Sequence, residues 1–390
     1  MRVDIVLTNL ELSGSLKYMG ALAEGFSELG HTVRFLYSGV GSDFSLVETV
    51  LGTHERIPYT RSWTQWASRA LLGSPLLRIF GRGTFNANQS INVLGSLLSV
   101  KRFEQITRQT DVIVYVNALA YPTTLLMRQR QTREVVIFHE GIGADFLPVI
   151  LRRLHQTYLR EVARRVDLRV ATTSKNSGRL RAQGIDSDPI YHGFFGGGLS
   201  PSTKERLVLT DSRWVKERDP LRIVSLADRL PKVPIVMVGR FADPELRDKL
   251  ERLVRARGLE GRIRLSRPLM EGEIADLYRR ARVVLRWAAP GTEDGFSWSL
   301  VNAVSAGCVP VMSEGLGGSR HLAEEVSPDL VQDSEEGLAD MAHRLLVDDD
   351  YFSMMQGRVI AWRDRRQWRV VAKAMLDRIP AGRRGVESSY

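Results

Sequence analysis

Short, almost wholly apolar segments alternate with helix-patterned ones along this chain, and a glycine-rich break divides the alternation into two runs. In the first run, Val3-Asp4-Ile5-Val6-Leu7 and residues 32–37, 111–116, 134–138 and 169–172 read as strands. Helical spacing covers residues 16–29 and stops at Gly30, and a further helix is expected around 122–130. Strands this continuously apolar are covered on both faces, which means a parallel sheet sandwiched by helices. The break is Gly193-Phe194-Phe195-Gly196-Gly197-Gly198, followed by Ser200-Pro201-Ser202. A second run then begins, with strands at 207–210, 233–238, 262–266 and 283–285 and helices near 221–230, 244–257 and 271–280. The order predicts two doubly wound halves, with a ligand in the cleft at the carboxyl ends of the strands.

Composition sets the bounds. At 390 residues with 43% hydrophobic content, two domains with real cores are expected. No run approaches the ~18 apolar residues of a membrane span. The opening MRVDIVLTNL is too short in apolar residues for a signal peptide and reads as a first strand. The single cysteine, Cys308, excludes an intrachain disulfide and any cysteine-cluster metal site, and fits a reducing cytoplasm. The net charge of +10 suits nucleic acid, anionic lipid or a phosphorylated substrate, or simply an arginine-rich surface. Finger spacing, an aromatic-basic RNA-binding strand and a lysine-rich tail are all missing from the sequence, which argues against nucleic acid.

The chemistry concentrates in residues 291–311, GTEDGFSWSLVNAVSAGCVPV. An acidic, glycine-bearing loop runs into an apolar helix, stops at Ala306-Gly307, and continues as the strand Val309-Pro310-Val311. A helix opened by a glycine turn presents unpaired amides and a positive dipole end, a place for an anionic ligand. Asp294 and Asn302 stand eight positions apart, one before the helix and one inside it, so both can face one cleft.

This segment resembles the donor site of retaining glycosyltransferases of family 4, which have the GT-B fold. Asp294-Gly295-Phe296-Ser297 stands where that family has Glu-Gly-Phe-Gly, Asn302 stands at its second Glu, and Ala306-Gly307-Cys308-Val309-Pro310-Val311 matches its Ala-x-Gly-x-Pro-Val. The two acidic positions depart from the pattern: Asp294 is shorter and Asn302 is neutral. The second carboxylate holds ribose hydroxyls in the family; Asn still accepts and donates there, without charge assistance. The family's Gly-Arg-Leu, with a Lys five residues after the Arg, corresponds to Ser212-Arg213-Trp214 with Arg218 in place of Lys. Arg binds phosphate oxygens as a fork where Lys is a point charge. Lys216 is a weaker candidate.

The resemblance implies an α/β GT-B architecture: two Rossmann-like domains, 1–198 for the acceptor and 199–362 for the donor, with a C-terminal helix, about 363–390, crossing back to the first. That helical stretch, residues 351–379, is expected to be interrupted near Trp362. It also implies a metal-independent, retaining hexosyl transfer from a nucleoside-diphosphate sugar, UDP by default, to a saccharide or lipid-linked saccharide, with no cofactor. Arg213 and Arg218 would neutralise the departing diphosphate, helped by Gly14 and by amides around Gly295, Ser297 and Ser299. Asp294 would contact the donor sugar and Asn302 the ribose, Phe296 and Gly317 would line the donor side of the site, and the base would be read around Ser266-Arg267-Pro268. His139, after the strand ending at Phe138, would lie beside the anomeric carbon; Glu140 and Asp145 are weaker candidates as base. Ser174-Lys175-Asn176 reads as a helix cap, His192 as entry to the linker, and His321 as a surface residue. Residues 60–85 mix Arg61, Arg69, Arg78 and Arg82 with Trp63, Trp66 and Phe80, a composition suited either to an anionic membrane surface on the cytoplasmic side or to packing on the first sheet. Alternatives on the same fold are a non-catalytic nucleotide-binding or partner subunit, and a sugar-nucleotide epimerase or phosphorylase.

Overall fold

The computed structural model describes residues 1–10, 14–40, 50–60, 99–116, 132–138, 149–196, 204–266, 269, 271–288 and 296–380. The chain divides into two compact units, Met1–His192 with Trp368–Tyr390, and Gly193–Gln367.

In the first unit the strands are β1 (Arg2–Leu10), β2 (Thr32–Val40), β3 (Glu55–Pro58), β4 (Val112–Tyr115), β5 (Arg133–Phe138), β6 (Leu168–Ala171) and β7 (Asp188–Pro189). They form one parallel sheet in the order β3-β2-β1-β4-β5-β6-β7. All four residues of β4 are buried, as expected of a central strand covered on both faces. Helices α1 (Gly14–Glu28), α2 (Val100–Thr107), α3 (Val149–Arg165) and α4 (Ser174–Ala182) accompany the sheet. Leu159, Val162 and Ala163 of α3 join Val6, Ile113, Val136 and Phe138 in one core cluster. The cap of α4 is Thr173, whose hydroxyl accepts from the Asn176 amide at 3.1 Å; Ser174, expected in that role, is the first helical residue instead.

The second unit carries β8 (Glu205–Asp211), β9 (Ile235–Val238), β10 (Ile263–Leu265), β11 (Ala281–Arg286), β12 (Val309–Ser313) and β13 (Val331–Gln332). Their parallel order is β10-β9-β8-β11-β12-β13. Sheet order reverses at β8, which lies between β9 and β11, so the switch point is at its carboxyl end. Helices α5 (Pro220–Ala227), α6 (Pro244–Ala256), α7 (Glu271–Arg280), α8 (Trp298–Ser305), α9 (Ser319–Glu325), α10 (Glu335–Val347) and α11 (Asp349–Arg365) complete it. Their starts are written in the sequence. Asp243 precedes Pro244, and Ser334 precedes Glu335 and Glu336. Asp348 accepts from the Tyr351 amide at 2.9 Å. At the other helix ends, Lys204 donates to the carbonyls of Tyr278 (2.9 Å), Arg279 (2.8 Å) and Ala306 (2.7 Å), sealing the carbonyl termini of α7 and α8 with one cation. Cys308 beside it is fully buried, and burial pushes its thiol up to about 11, so it stays protonated and packs as a small apolar group.

The C-terminal helical stretch breaks at Arg366 (φ −130°, ψ 42°) rather than near Trp362, before α12 (Trp368–Arg378) begins. Trp362 cannot mark the break because it is a core residue, 1% exposed, with its ring 4.6 Å from that of Phe194. Helix α12 belongs to the first unit and packs on α1, with Trp368 edge-on to Tyr18 at 5.1 Å.

Candidate functional site

Strands β8, β9, β11 and β12 end on the same side of the second sheet, because the sheet is parallel. The loops that leave these four ends build the site. After β8 comes Ser212-Arg213-Trp214, then a short 3₁₀ turn, Lys216–Arg218. Trp214 is the anchor: it is 2% exposed and its indole N–H donates to the Val238 carbonyl at 3.0 Å. Arg213 is exposed. Arg218 folds back, its Nη1 donating to Ser212 Oγ and to the Arg213 carbonyl, each at 3.2 Å. Two arginines therefore stand on one turn at the switch point.

Gly239 closes this turn from the β9 side. It has φ +131°, and a Cβ there would lie 1.7 Å from the Ser212 carbonyl oxygen. Only glycine lets the two backbones approach so closely. Sequence reasoning missed this residue; its signal was a glycine directly after an apolar strand.

Arg286 was missed as well. It ends β11, is 5% exposed, and its Nη1 donates both to the Asp211 carbonyl and to Ser299 Oγ. Ser299 in turn shares a 2.9 Å hydrogen bond with Ser297. One buried guanidinium thus ties the end of β8 to the first turn of α8, whose amino end carries the positive dipole. On the other side, Asp211 Oδ2 accepts from the Tyr278 hydroxyl at 2.8 Å. Burial and the Asp211 carboxylate hold the Tyr278 phenol well above its ordinary value, so it remains a donor. An arginine closing a strand gave no sequence signal, since its partners come from β8 and α8.

The amino end of α8 is fixed from β12 as well. The Ser297 amide donates to the Gly317 carbonyl at 3.2 Å. Gly318, with φ +94°, lies so close to Leu300 and Phe296 that a Cβ would meet Leu300 Cδ2 at 2.7 Å. Phe296 is 7% exposed and stacks on His321, ring centroids 6.2 Å apart. His321 is accordingly a buried support and not the surface residue expected; its burial, then the Arg366 charge, lowers its pKa to about 4. It is a neutral ring at neutral pH. Asn302 lies on α8, half-buried.

Of the expected site residues, Arg213, Arg218, Phe296, Ser297, Ser299, Asn302 and Gly317 all lie on these segments of the second unit. His139, Glu140, Asp145, Arg267, Asp294 and Gly295, and all but the first residue of 60–85, lie outside the described residues. Gly14 opens α1 in the first unit, exposed, with nothing within 4 Å of where a Cβ would stand. These segments place two arginines and a helix amino end on the carboxyl side of one parallel sheet, groups of the kind that bind phosphorylated ligands.

Comparison with known proteins bears on the fold. Residues 198–355 match the family described as glycosyl transferases group 1. The GDP-mannose:cellobiosyl-diphosphopolyprenol alpha-mannosyltransferase of Xanthomonas oryzae pv. oryzae (strain PXO99A) is 22% identical over 375 residues, 89% of this chain and 95% of that protein. Among solved structures, HepE of Anabaena in complex with UDP superposes with a TM-score of 0.70 at 15% identity, covering 97% of this chain and 99% of that one. A variant of S. aureus TarM, solved with Fondaparinux, alpha-GlcNAc-glycerol and UDP, gives 0.68 at 10% identity over 97% and 98%. The fold is therefore GT-B, and residues 198–355 are similar to the glycosyl transferases group 1 family.

Proposed function

We propose that this protein is a retaining glycosyltransferase that moves a hexosyl group from a nucleoside-diphosphate sugar to a hydroxyl of a saccharide or lipid-linked saccharide. The observation that carries the reading is the pair Arg213 and Arg218 on one turn at the β8 switch point, with Arg286 fastening that strand end to the first turn of α8. As the glycosidic bond breaks, charge accumulates on the leaving diphosphate. The two guanidiniums and the α8 amides stabilise that charge without a metal ion. Asn302 takes the ribose hydroxyls and Phe296 borders the sugar, held by His321 and Gly318. Asp294 contacts the sugar and His139 lies beside the anomeric carbon, roles that rest on their places in the sequence. Attack on the same face that the leaving group departs, with the phosphate taking the acceptor proton, retains the anomeric configuration.

UDP is the favoured carrier, since HepE and TarM were both solved with it. The mannosyltransferase relative, named for GDP-mannose and a diphosphopolyprenol acceptor, supports a lipid-linked acceptor and makes GDP the second candidate. Residues 60–85 then meet the acceptor at the cytoplasmic membrane face.

The test is turnover. UDP-glucose, UDP-galactose, UDP-N-acetylglucosamine and GDP-mannose are supplied with oligosaccharide and polyprenyl-diphosphate acceptors, with and without EDTA, and the product's anomeric proton is followed by NMR. The reading requires one donor to give an α-linked product, insensitive to EDTA. Donor consumed equally well without acceptor favours an epimerase, consumption that needs inorganic phosphate favours a phosphorylase, and no turnover with tight nucleotide binding favours a non-catalytic subunit.

A further inference from the structure

The turn that carries Arg213 and Arg218 ends on a strained residue. Among the described residues Asp219 is the one non-glycine with positive φ, at φ 32° and ψ 73°. Left-handed backbone is unfavourable for a residue with a Cβ and persists only where its surroundings over-determine it. Here Pro220 comes directly after it and opens α5, so Asp219 cannot relax into the helix.

One side chain supplies the constraint. Arg222 Nε donates to Asp219 Oδ2 at 3.1 Å, and its Nη1 pairs with Glu335, the first residue of α10. Its guanidinium carbon also sits 4.6 Å from the centre of the Trp287 ring, directly after Arg286. The backbone repeats the link: the Arg222 amide donates to the Asp219 carbonyl, and the Asp219 amide to the Lys216 carbonyl, each at 3.2 Å. Three fixed points, at the end of β11, the start of α10 and the phosphate turn, thus meet on one planar fork. A lysine has neither the fork nor the flat face to satisfy them together.

We infer that Arg222 is a positioning residue for diphosphate binding: clamped between Trp287 and Glu335, it holds Asp219 left-handed and so fixes the turn that aims Arg213 and Arg218. The inference rests on the diphosphate reading above and adds a residue that touches no substrate. Released from the clamp, Asp219 returns toward negative φ and the 3₁₀ turn rotates, leaving the two arginines present but misaimed.

The test uses the full-length protein and measures dissociation constants for UDP and GDP by calorimetry, beside urea midpoints. Arg222→Ala weakens the bound nucleotide roughly 10-fold, within the range of coupled neighbours. Asp219→Gly alone binds like wild type, because glycine takes positive φ without a clamp. The decisive variant is Arg222→Ala with Asp219→Gly, which recovers affinity to within about twofold of wild type, a rescue that a merely structural role of Arg222 does not give. Should Arg222→Ala fail to fold, Arg222→Lys with and without Asp219→Gly reads the same coupling. Wild type that binds while Arg222→Ala binds equally well overturns this inference alone, as does a loss that glycine fails to repair. Wild type that takes up neither nucleotide overturns the diphosphate reading and the inference with it.

Discussion

The two sheets of this protein share a strand order around their first strand, yet the aspartate that anchors a polar network there sits at opposite ends, Asp4 near the amino end of β1 and Asp211 at the carboxyl end of β8. In the first unit the charge lies near the amino end of β1. Asp4, fully buried, accepts from Arg34 Nε at 2.8 Å and Nη2 at 2.7 Å and from the Thr110 hydroxyl, while Arg34 also donates to the Ile106 carbonyl. This cluster joins β1, β2 and the segment before β4. In the second unit the polar network lies at the carboxyl ends, where Asp211, Tyr278, Arg286, Ser299 and Ser297 run from β8 to the open first turn of α8. One scaffold thus anchors such a network at the amino end of a central strand in one unit and at the carboxyl end in the other, where the proposed diphosphate site lies. The distinction arises from parallel strands, which all deliver their loops and helix amino ends to the same side.

The comparison breaks most readily at Asp4. Asp4→Ala leaves Arg34 with a stranded charge and costs about 3–5 kcal/mol in urea unfolding, while UDP affinity of the folded fraction stays within about twofold. An affinity loss as large as the stability loss would show that the two ends are not separable. The reverse holds for Arg218→Ala, which lowers kcat by roughly 10²–10³, about 3–4 kcal/mol of transition-state stabilisation, with the urea midpoint little changed. Gly239→Ala should move both quantities. The added methyl is placed 1.7 Å from the Ser212 carbonyl at positive φ, so about 2–3 kcal/mol of stability is lost, and KM for the donor rises because Ser212 carries Arg213 with it.

The smallest effect concerns pH. His321 has its pKa lowered to about 4 in the folded protein against 6.5 as the ordinary value. Between those values the unfolded chain binds more protons, so stability is full above about 6.5 and falls as pH drops toward 4. With solvent screening of this incompletely desolvated ring, the loss amounts to about 1–2 kcal/mol. His321→Gln flattens this part of the curve, leaving the slope from His31 and His155, which burial also lowers. An unchanged curve would show that His321 does not titrate under Phe296.

The comparison also explains what was legible in the sequence. Both strand–helix alternations could be read because central parallel strands are continuously apolar, as in Val112–Tyr115 and Ile235–Val238. Arg213 and Arg218 could be singled out because the family pattern they resemble, two basic residues five apart after a strand, is local information. Arg286 and Gly239 were not, because what makes them matter lies 13 to 75 residues away, at Ser299, Asp211 and Ser212. His321 looked exposed for the same reason: a polar residue after a glycine turn carries no mark of the Phe296 ring above it. Trp362, taken for a break, was a core aromatic whose partner is Phe194.

The central claim is that the turn after β8 grips a diphosphate. Calorimetric titration of UDP into the wild-type protein and into the Arg213→Ala, Arg218→Ala double variant, at low and high salt, tests it most directly. The account predicts salt-sensitive binding by the wild type and a loss of at least about 100-fold in the double variant, at comparable urea midpoints. Equal affinity in the two proteins would contradict it.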